Sequence, residues 1–168
     1  MKVFGVVGYK NAGKTTLMER LVAELAGRGY SVSTVKHAHH GVDVDQPGRD
    51  SYRHREAGAR EVLLASGRRW ALMHELRDEP EPPLEALLAR LSPVDIALVE
   101  GFKASLHDKI EAHRGVTGHP LIAPGDPTVR AVASDTPLHG LACPVLDLDD
   151  IAAIADFIVQ ATGLGGTP

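Results

Sequence analysis

The most informative stretch of the chain is residues 3–15, which read Val-Phe-Gly-Val-Val-Gly-Tyr-Lys-Asn-Ala-Gly-Lys-Thr. The apolar first part predicts a buried β-strand, and residues 8–15 satisfy the phosphate-loop pattern G-x-x-x-x-G-K-S/T at every fixed position. The residues that follow predict a helix ending at residues 27–29, because apolar side chains share one face at Leu17, Leu21, Val22 and Leu25. Strand, glycine-rich loop and helix in this order are the context that the motif requires.

Each fixed residue of this loop has a role in binding phosphate. Gly8 and Gly13 permit backbone conformations that a side chain would hinder, so consecutive N–H groups can turn inward around an anion. The first turn of the helix adds further unpaired N–H donors. Lys14 is predicted to reach the β- and γ-phosphates, and the Thr15 hydroxyl is predicted to bind Mg²⁺. The loop therefore predicts a purine nucleotide bound with Mg²⁺, and its other predicted nucleotide contacts are Lys10, Asn11, Ala12 and Thr16.

Length and composition describe an ordinary globular protein. The chain has 168 residues, of which 43% are hydrophobic and 24% are charged, which fits one domain with a sizeable core. We expect one nucleotide-binding domain over residues 1–162 and a frayed tail over residues 163–168. The net charge of −4 argues against general affinity for nucleic acid or acidic membranes. With a single cysteine, no apolar run of about 20 residues and a first strand at the N-terminus, we expect a cytoplasmic protein without a signal peptide.

A histidine-rich segment follows the second predicted strand, residues 30–36. It contains His37, His39 and His40, followed by Asp43 and Asp45. The carboxyl ends of parallel strands share one edge of a sheet, so this segment is expected near the phosphate loop. The spacing of the histidines alone does not match a usual metal site, although the two aspartates could complete one. Hydrogen bonding of His39 and His40 to phosphates and a solvated loop are the other interpretations.

Residues 48–59 predict a short helix with the densest cationic cluster of the chain. Arg49, Arg53 and Arg55 form this cluster, and Asp50 or Ser51 is the expected N-cap. The arginines are either a solvated face or an anion-binding clamp, since guanidinium groups match phosphate oxygens.

The remaining pattern predicts an α/β protein. Residues 59–66 and 70–76 predict a hairpin at one edge of the sheet, residues 84–91 a helix, and residues 94–99, 109–114, 128–133 and 144–147 four further strands. A last helix is expected to be capped by Asp149 and to run to residue 160. The predicted fold class is a three-layer fold like that of P-loop NTPases, with a mostly parallel sheet and an antiparallel edge hairpin.

A carboxylate stands at the end of the buried strand 94–99. In phosphate-loop enzymes the acid that holds Mg²⁺, directly or through water, occupies this place, so Glu100 is the second predicted metal residue. Gly101 would allow the backbone to approach the γ-phosphate closely. Lys103 adds a candidate anion contact.

The base preference is harder to predict from the residues. Tyr9 stands where deviant phosphate-loop ATPases carry a second lysine, which excludes that class. The chain has no N-K-x-D tetrapeptide, the usual guanine reader of GTPases. Asp135, at the end of a predicted strand, is in position to accept the guanine N1 and N2 hydrogens. If Asp135→Asn left the preference for GTP over ATP unchanged, this assignment would be wrong.

Taken together, these segments resemble the MobB family, GTP-binding accessory proteins of molybdopterin-guanine dinucleotide biosynthesis. The resemblance runs from residue 3 to about residue 158. The phosphate loop is shared by many families, whereas Lys-His-Ala-His-His at residues 36–40 and Glu-Gly-Phe-Lys at residues 100–103 are more specific. The supporting segments are residues 8–17, 48–51, 57–59 and 133–135.

The resemblance implies a homodimeric α/β protein with weak, Mg²⁺-dependent GTP hydrolysis. It also implies partnership with MobA, the transferase that attaches GMP to molybdopterin, and molybdopterin itself as a bound substrate. Lys14, Thr15 and Glu100 become the phosphate and metal residues. Arg49 stands where the family commonly has lysine, which still allows a phosphate contact.

Hydrolysis needs a group that positions water, and the candidates are His37, Asp43 and Asp45. We expect slow turnover, because large accelerations require a complete charge clamp that is often supplied in trans. Two other classes stay open: a small-molecule kinase, with the three arginines as a lid and Asp43 or Asp45 as base, and a metal-delivery GTPase using His37, His39 and His40.

Overall fold

The computed structural model describes residues 1–38 and 44–165, and the chain divides into two compact units. The larger unit comprises Met1–His37 and Leu84–Pro168, and the smaller unit is Ala38–Pro83. The strands are β1 (Lys2–Val7), β2 (Val32–Lys36), β3 (Glu61–Ala65), β4 (Trp70–His74), β5 (Ile96–Glu100), β6 (Lys109–His113), β7 (Val129–Ser134) and β8 (Val145–Asp147). The helices are α1 (Lys14–Gly27), α2 (Asp50–Glu56), α3 (Leu84–Leu88) and α4 (Ile151–Thr162).

The larger unit is built on a six-stranded sheet in the order β2-β5-β1-β6-β7-β8. All neighbouring strands in it are parallel, so their carboxyl ends form one edge. The strands are rich in Val, Ile and Ala because both faces of β1 and β5 are buried. The α/β class with a mostly parallel sheet is therefore confirmed.

The core lies between this sheet and helices α1 and α4. It contains Phe4, Leu21, Leu98, Ile154 and Ile158, each with no exposed surface. Leu17, Leu21 and Leu25 are buried on α1, as their helical spacing predicts. This packing fixes α1 against β1, and so fixes the loop that joins them.

The predicted hairpin forms, but it is a separate sheet. Strands β3 and β4 pair antiparallel with each other and constitute a two-stranded sheet in the smaller unit, instead of an edge of the six-stranded sheet. Alternating apolar residues predict that two strands pair, but they do not determine whether a third strand joins them.

Three predicted helix and chain ends differ from the structure. Helix α4 is capped by Asp150, which accepts a hydrogen bond from the Ala153 N–H at 3.0 Å, while Asp149 accepts one from Arg20. No side chain caps α2, whose N-cap is Arg49. The expected tail begins with an ordered turn, because Leu164 is buried in the core after Gly163.

No helix among residues 1–38 and 44–165 has the length and apolar character needed to cross a membrane.

Candidate functional site

The phosphate loop turns sharply between the end of β1 and the start of α1. Gly8 and Gly13 have φ values of 147° and 90°, and Asn11 adopts a left-handed φ of 64°. A Cβ at Gly8 would lie 2.5 Å from the carbonyl oxygen of Ala112 on β6, so a side chain there would collide with backbone. The loop thus requires glycine at Gly8 both for its conformation and for this close approach.

Lys14 points back across the loop. Its Nζ donates a hydrogen bond to the carbonyl oxygen of Tyr9 at 2.7 Å. Burial lowers the pKa of Lys14, and the nearby Lys103 and Lys36 lower it further, whereas Glu100 opposes the shift. Several charged side chains therefore converge on this point, with positive charge in excess, as an anion-binding site requires.

Glu100 lies beside the phosphate loop, because β5 is the direct neighbour of β1 and Glu100 is in register with Val6. The carboxylate is 8% exposed. Thr15 Oγ1 donates to Glu100 Oε1 at 3.4 Å, and Lys36 Nζ lies 3.3 Å from the same oxygen. A hydroxyl and a carboxylate at this separation are the oxygen ligands that Mg²⁺ prefers, so these residues fit the metal that the motif implies.

The segment after Glu100 is strained and closely packed. Gly101 and Phe102 both have positive φ values, of 92° and 50°. The ring of Phe102 stacks on the ring of His37 with centroids 4.6 Å apart, and the His37 N–H donates to the Glu100 carbonyl at 2.9 Å. Lys103 Nζ lies 4.3 Å from the centre of the Tyr9 ring, which brings this amino group to the phosphate loop.

A fully buried lysine, Lys109, binds the backbone of the loop that follows Phe102. Lys109, at the start of β6, donates through Nζ to the carbonyl of Ser105 at 2.6 Å and to Thr128 Oγ1 at 2.5 Å. The same Nζ lies 3.5 Å from the Lys103 carbonyl and 3.6 Å from Asp126 Oδ2. Lys109 therefore joins the loop that carries Lys103 to the amino ends of the neighbouring strands.

Asp135 follows β7 at the same edge of the sheet. Its Oδ1 accepts the Gly115 N–H at 2.9 Å, and its Oδ2 lies 4.0 Å from Arg114 Nη1. Asp135 also lines a cavity of about 270 Å³ formed by the ends of β7 and β8. The predicted guanine contact thus borders a space at the carboxyl edge of the sheet.

Asp45 and the three predicted arginines belong to the smaller unit, whereas Lys10, Ala12 and Thr16 belong to the phosphate loop and helix α1 of the larger one. The Asp45 carboxylate accepts from Ser51 Oγ at 2.9 Å and pairs with Arg55 at 3.3 Å, and Arg55 also pairs with Glu75 at 2.7 Å. Arg55 is therefore engaged by carboxylates of its own unit. Arg49 and Arg53 are exposed.

The histidine cluster is only partly described. His39, His40 and Asp43 lie outside the described residues, so the structure does not test their predicted roles. Within residues 1–38 and 44–165, no group of three or more His, Cys, Asp and Glu side chains is arranged to hold a metal ion.

Sequence reasoning did not assign Arg114 or Lys36 to the site. Arg114 directly follows β6, and its Nε lies 3.0 Å from the position that a Cβ at Gly13 would take. Lys36 is the last residue of β2. Both occupy carboxyl ends of parallel strands, and that position was the signal that could have identified them.

Known proteins resemble this chain over most of its length. The family model described as Molybdopterin guanine dinucleotide synthesis protein B, MobB, matches residues 3–135. The molybdopterin-guanine dinucleotide biosynthesis adapter protein of Escherichia coli (strain K12) is 45% identical over 155 residues, covering 90% of this chain and 88% of that protein. The protein of the same name from Haemophilus influenzae is 43% identical over 159 residues, covering 93% and 86%.

The similarity extends to solved structures. The X-ray crystal structure of a MobB protein homolog from Bacillus stearothermophilus is 30% identical and superposes with a TM-score of 0.69, covering 97% of this chain and 99% of that one. The family match begins in β1 and ends at Asp135, and so spans the phosphate loop, Glu100 and the turn after β7. From this match and these relatives, the chain belongs to the MobB family.

Proposed function

We propose that this chain binds GTP with Mg²⁺ and acts as an adapter in molybdopterin-guanine dinucleotide synthesis. The observation that carries the nucleotide proposal is the contact between Thr15 and Glu100. These residues are 85 positions apart, yet their oxygens lie 3.4 Å apart beside Lys14. A chance phosphate-loop match would not require a buried carboxylate at this point, whereas a Mg²⁺–nucleotide site does.

The adapter role is proposed from family membership. The relatives from Escherichia coli and Haemophilus influenzae are named adapter proteins of molybdopterin-guanine dinucleotide biosynthesis. We propose that this chain assists a MobA-type guanylyltransferase acting on molybdopterin. Mixing the chain with that enzyme and GTP should increase the rate at which GMP is joined to molybdopterin, and an unchanged rate would contradict this role.

Hydrolysis in this proposal is slow. The His37 ring stacks on Phe102, and the carboxylate of Asp45 is engaged by Ser51 and Arg55 within the smaller unit. Of the three candidate groups, His37 and Asp45 are thus already engaged in contacts, which supports slow turnover, and Asp43 lies outside the described residues.

Calorimetric titration tests the nucleotide proposal directly. GTP, GDP and ATP are titrated into the protein with Mg²⁺ present. We expect the guanine nucleotides to bind more tightly than ATP. Equal or tighter binding of ATP would contradict the base preference, and no binding of any nucleotide would contradict the whole proposal.

Replacing Glu100 by glutamine should weaken the effect of Mg²⁺ on GTP affinity. The amide keeps the size of the side chain but removes the negative charge that would attract the cation, directly or through water. We expect the ratio of GTP affinities with and without Mg²⁺ to fall about tenfold, because charge-assisted interactions are worth roughly 1.5–3 kcal/mol. Asp149→Asn, a change of the same chemistry at an exposed site, is the control, and an unchanged Mg²⁺ ratio in Glu100→Gln would exclude Glu100 as the metal residue.

The proposal includes a homodimer, which the resemblance implied. The hairpin of the smaller unit offers a contact surface, because Leu63 pairs with Leu72 and Ala65 pairs with Trp70, so that all four share one face. Leu63, Trp70 and Leu72 are 63%, 68% and 47% exposed. A cluster of large apolar side chains of this exposure favours a protein contact.

Leu63→Glu should therefore shift the protein from dimer to monomer. A charge at the centre of a buried apolar contact is costly to desolvate. Sedimentation velocity across a concentration series measures the change, with Leu106→Glu, at an exposed leucine of the larger unit, as the matched control. If wild type were a monomer, or if Leu63→Glu dimerised as well as wild type, the proposal that this hairpin face forms the dimer contact would be wrong.

A further inference from the structure

Four features follow one another along the carboxyl edge of the sheet. In the order of the strands they are the phosphate loop after β1, Arg114 after β6, Asp135 after β7, and the cavity between the ends of β7 and β8. Neighbouring strands are about 4.8 Å apart, so Asp135 lies about 10 Å along the edge from the phosphate loop. Arg114 occupies the middle of this distance.

The guanidinium of Arg114 faces the phosphate loop. From the position that a Cβ at Gly13 would take, Nε, Nη2 and Cζ lie 3.0, 3.6 and 3.7 Å away. A side chain at this position would press against the guanidinium, and Gly13, with a φ of 90°, leaves the space open. The side chain is 39% exposed, so a ligand on the loop can reach it.

No acceptor of the described residues takes a hydrogen bond from the Arg114 guanidinium. Its one charged partner among residues 1–38 and 44–165 is Asp135 at 4.0 Å, which is beyond hydrogen-bonding distance. A guanidinium carries five N–H donors in a planar fork that matches phosphate oxygens. Such a group beside a phosphate loop is available to an anion.

We propose that Arg114 is a further nucleotide-binding residue and that it binds the α-phosphate. This inference rests on the proposed nucleotide function. Lys14 is assigned to the β- and γ-phosphates at the end of β1, and Arg114 lies one strand closer to the predicted base contact. A nucleotide laid along the edge, with its base at the cavity beside Asp135, passes Arg114 at its α-phosphate.

The same placement links the phosphate site to the base site. Arg114 lies 4.0 Å from Asp135, and Asp135 is the carboxylate proposed to accept the guanine N1 and N2 hydrogens. A carboxylate favours this donor-rich edge over adenine, whose N1 is an acceptor. Arg114 is therefore also a positioning residue for Asp135 in a chain without an N-K-x-D motif.

The variant Arg114→Gln tests whether Arg114 binds the α-phosphate, and the quantity compared is the ratio of the affinities for GTP and GDP. The α-phosphate is common to GTP and GDP, so we expect both affinities to fall by the same factor, about tenfold or more, with their ratio unchanged. Arg114→Lys should recover part of the loss, since it restores the charge but not the fork. Arg130→Gln is the matched control, because Arg130 also lies 4.0 Å from an aspartate, Asp108, and is outside the site.

Each other outcome overturns the proposal in a recognisable way. If Arg114→Gln lowered the affinity for GTP but not that for GDP, Arg114 would contact the γ-phosphate instead of the α-phosphate. Lower thermal stability with unchanged affinity for both nucleotides would make Arg114 a structural residue only. If Lys14→Ala abolished binding while Arg114→Gln did not weaken it, the nucleotide function would stand and this inference would fail. If wild type bound no nucleotide, the proposed function itself would fail.

Discussion

Replacing Lys14 by alanine is expected to lower GTP affinity by on the order of 100-fold, because two charge-assisted hydrogen bonds of roughly 1.5–3 kcal/mol each would be lost. The Lys14 amino group hydrogen-bonds to the Tyr9 carbonyl of the loop itself at 2.7 Å, which places it at the anion site. The measurement is calorimetric titration of GTP into the variant.

Lys2→Ala is the control for this experiment. Lys2 is an exposed lysine at the amino end of β1, opposite the end that leads into the phosphate loop, and its replacement by alanine makes the same change in net charge. It should bind GTP like wild type. Retention of affinity in Lys14→Ala, or an equal loss in Lys2→Ala, would show that general charge, and not the phosphate loop, holds the nucleotide.

Because the pKa of Lys14 is lowered, the contribution of Lys14 to GTP affinity should depend on pH. Burial, the largest cause, lowers the pKa, so the amino group loses its proton at a lower pH than an ordinary lysine. Phosphate binding needs the charged form. The Lys14 contribution to GTP affinity is thus present below the lowered pKa and declines as the pH rises through it, and this decline should be missing from Lys14→Ala.

Replacing Lys109 by methionine is expected to lower the free energy of unfolding by about 3 kcal/mol. Methionine fills much of the buried space, but it removes the donor from the Ser105 carbonyl and Thr128 Oγ1 and the cation from beside Asp126. Removing one partner of a buried polar network costs the desolvation of the others. For a chain of this size the thermal midpoint should fall by roughly 6–12 °C, measured by circular dichroism.

Two further variants separate charge from packing at this site. Lys2→Met, at an exposed lysine, should leave the midpoint near that of wild type. Adding Asp126→Asn to Lys109→Met should restore part of the loss, because the uncompensated carboxylate is removed. A Lys109→Met protein as stable as wild type would contradict the structural role.

The pH dependence of this difference follows from Asp126. Hydrogen bonds from Thr128, and then the nearby Lys109, hold its pKa below the usual range. A lowered carboxyl pKa stabilises the fold above the unfolded-state pKa, and this stabilisation is lost as the pH falls through the folded-state pKa. The difference in unfolding free energy between wild type and Lys109→Met should therefore become smaller as the pH falls through the folded-state pKa of Asp126.

Local signals in the sequence were enough to predict the phosphate end of the site. The phosphate-loop motif predicted Lys14 and Thr15 as site residues, and a buried apolar run that ends in a carboxylate predicted Glu100. Their contact needed only one further fact, that β5 lies beside β1, which is usual for strands that carry these two motifs.

Residues whose roles depend on strand order could not be predicted in the same way. Arg114 meets Gly13 because β6 lies between β1 and β7, and no spacing along the chain encodes that order. Lys109 reads as an ordinary strand-initiating lysine until its neighbours Ser105 and Thr128 are known. The helix cap moved by one residue, from Asp149 to Asp150, because neighbouring aspartates differ only in which side chain reaches the N–H of Ala153.

The exposed Trp70 on the hairpin has a spectroscopic consequence. It is the only tryptophan of the chain and it lies in the smaller unit, whereas the two long helices, α1 and α4, lie in the larger one. Tryptophan emission therefore reports on Ala38–Pro83, and far-ultraviolet ellipticity mainly on the remainder. Denaturation followed by both signals yields one shared transition if the units unfold together and two separate ones if they do not.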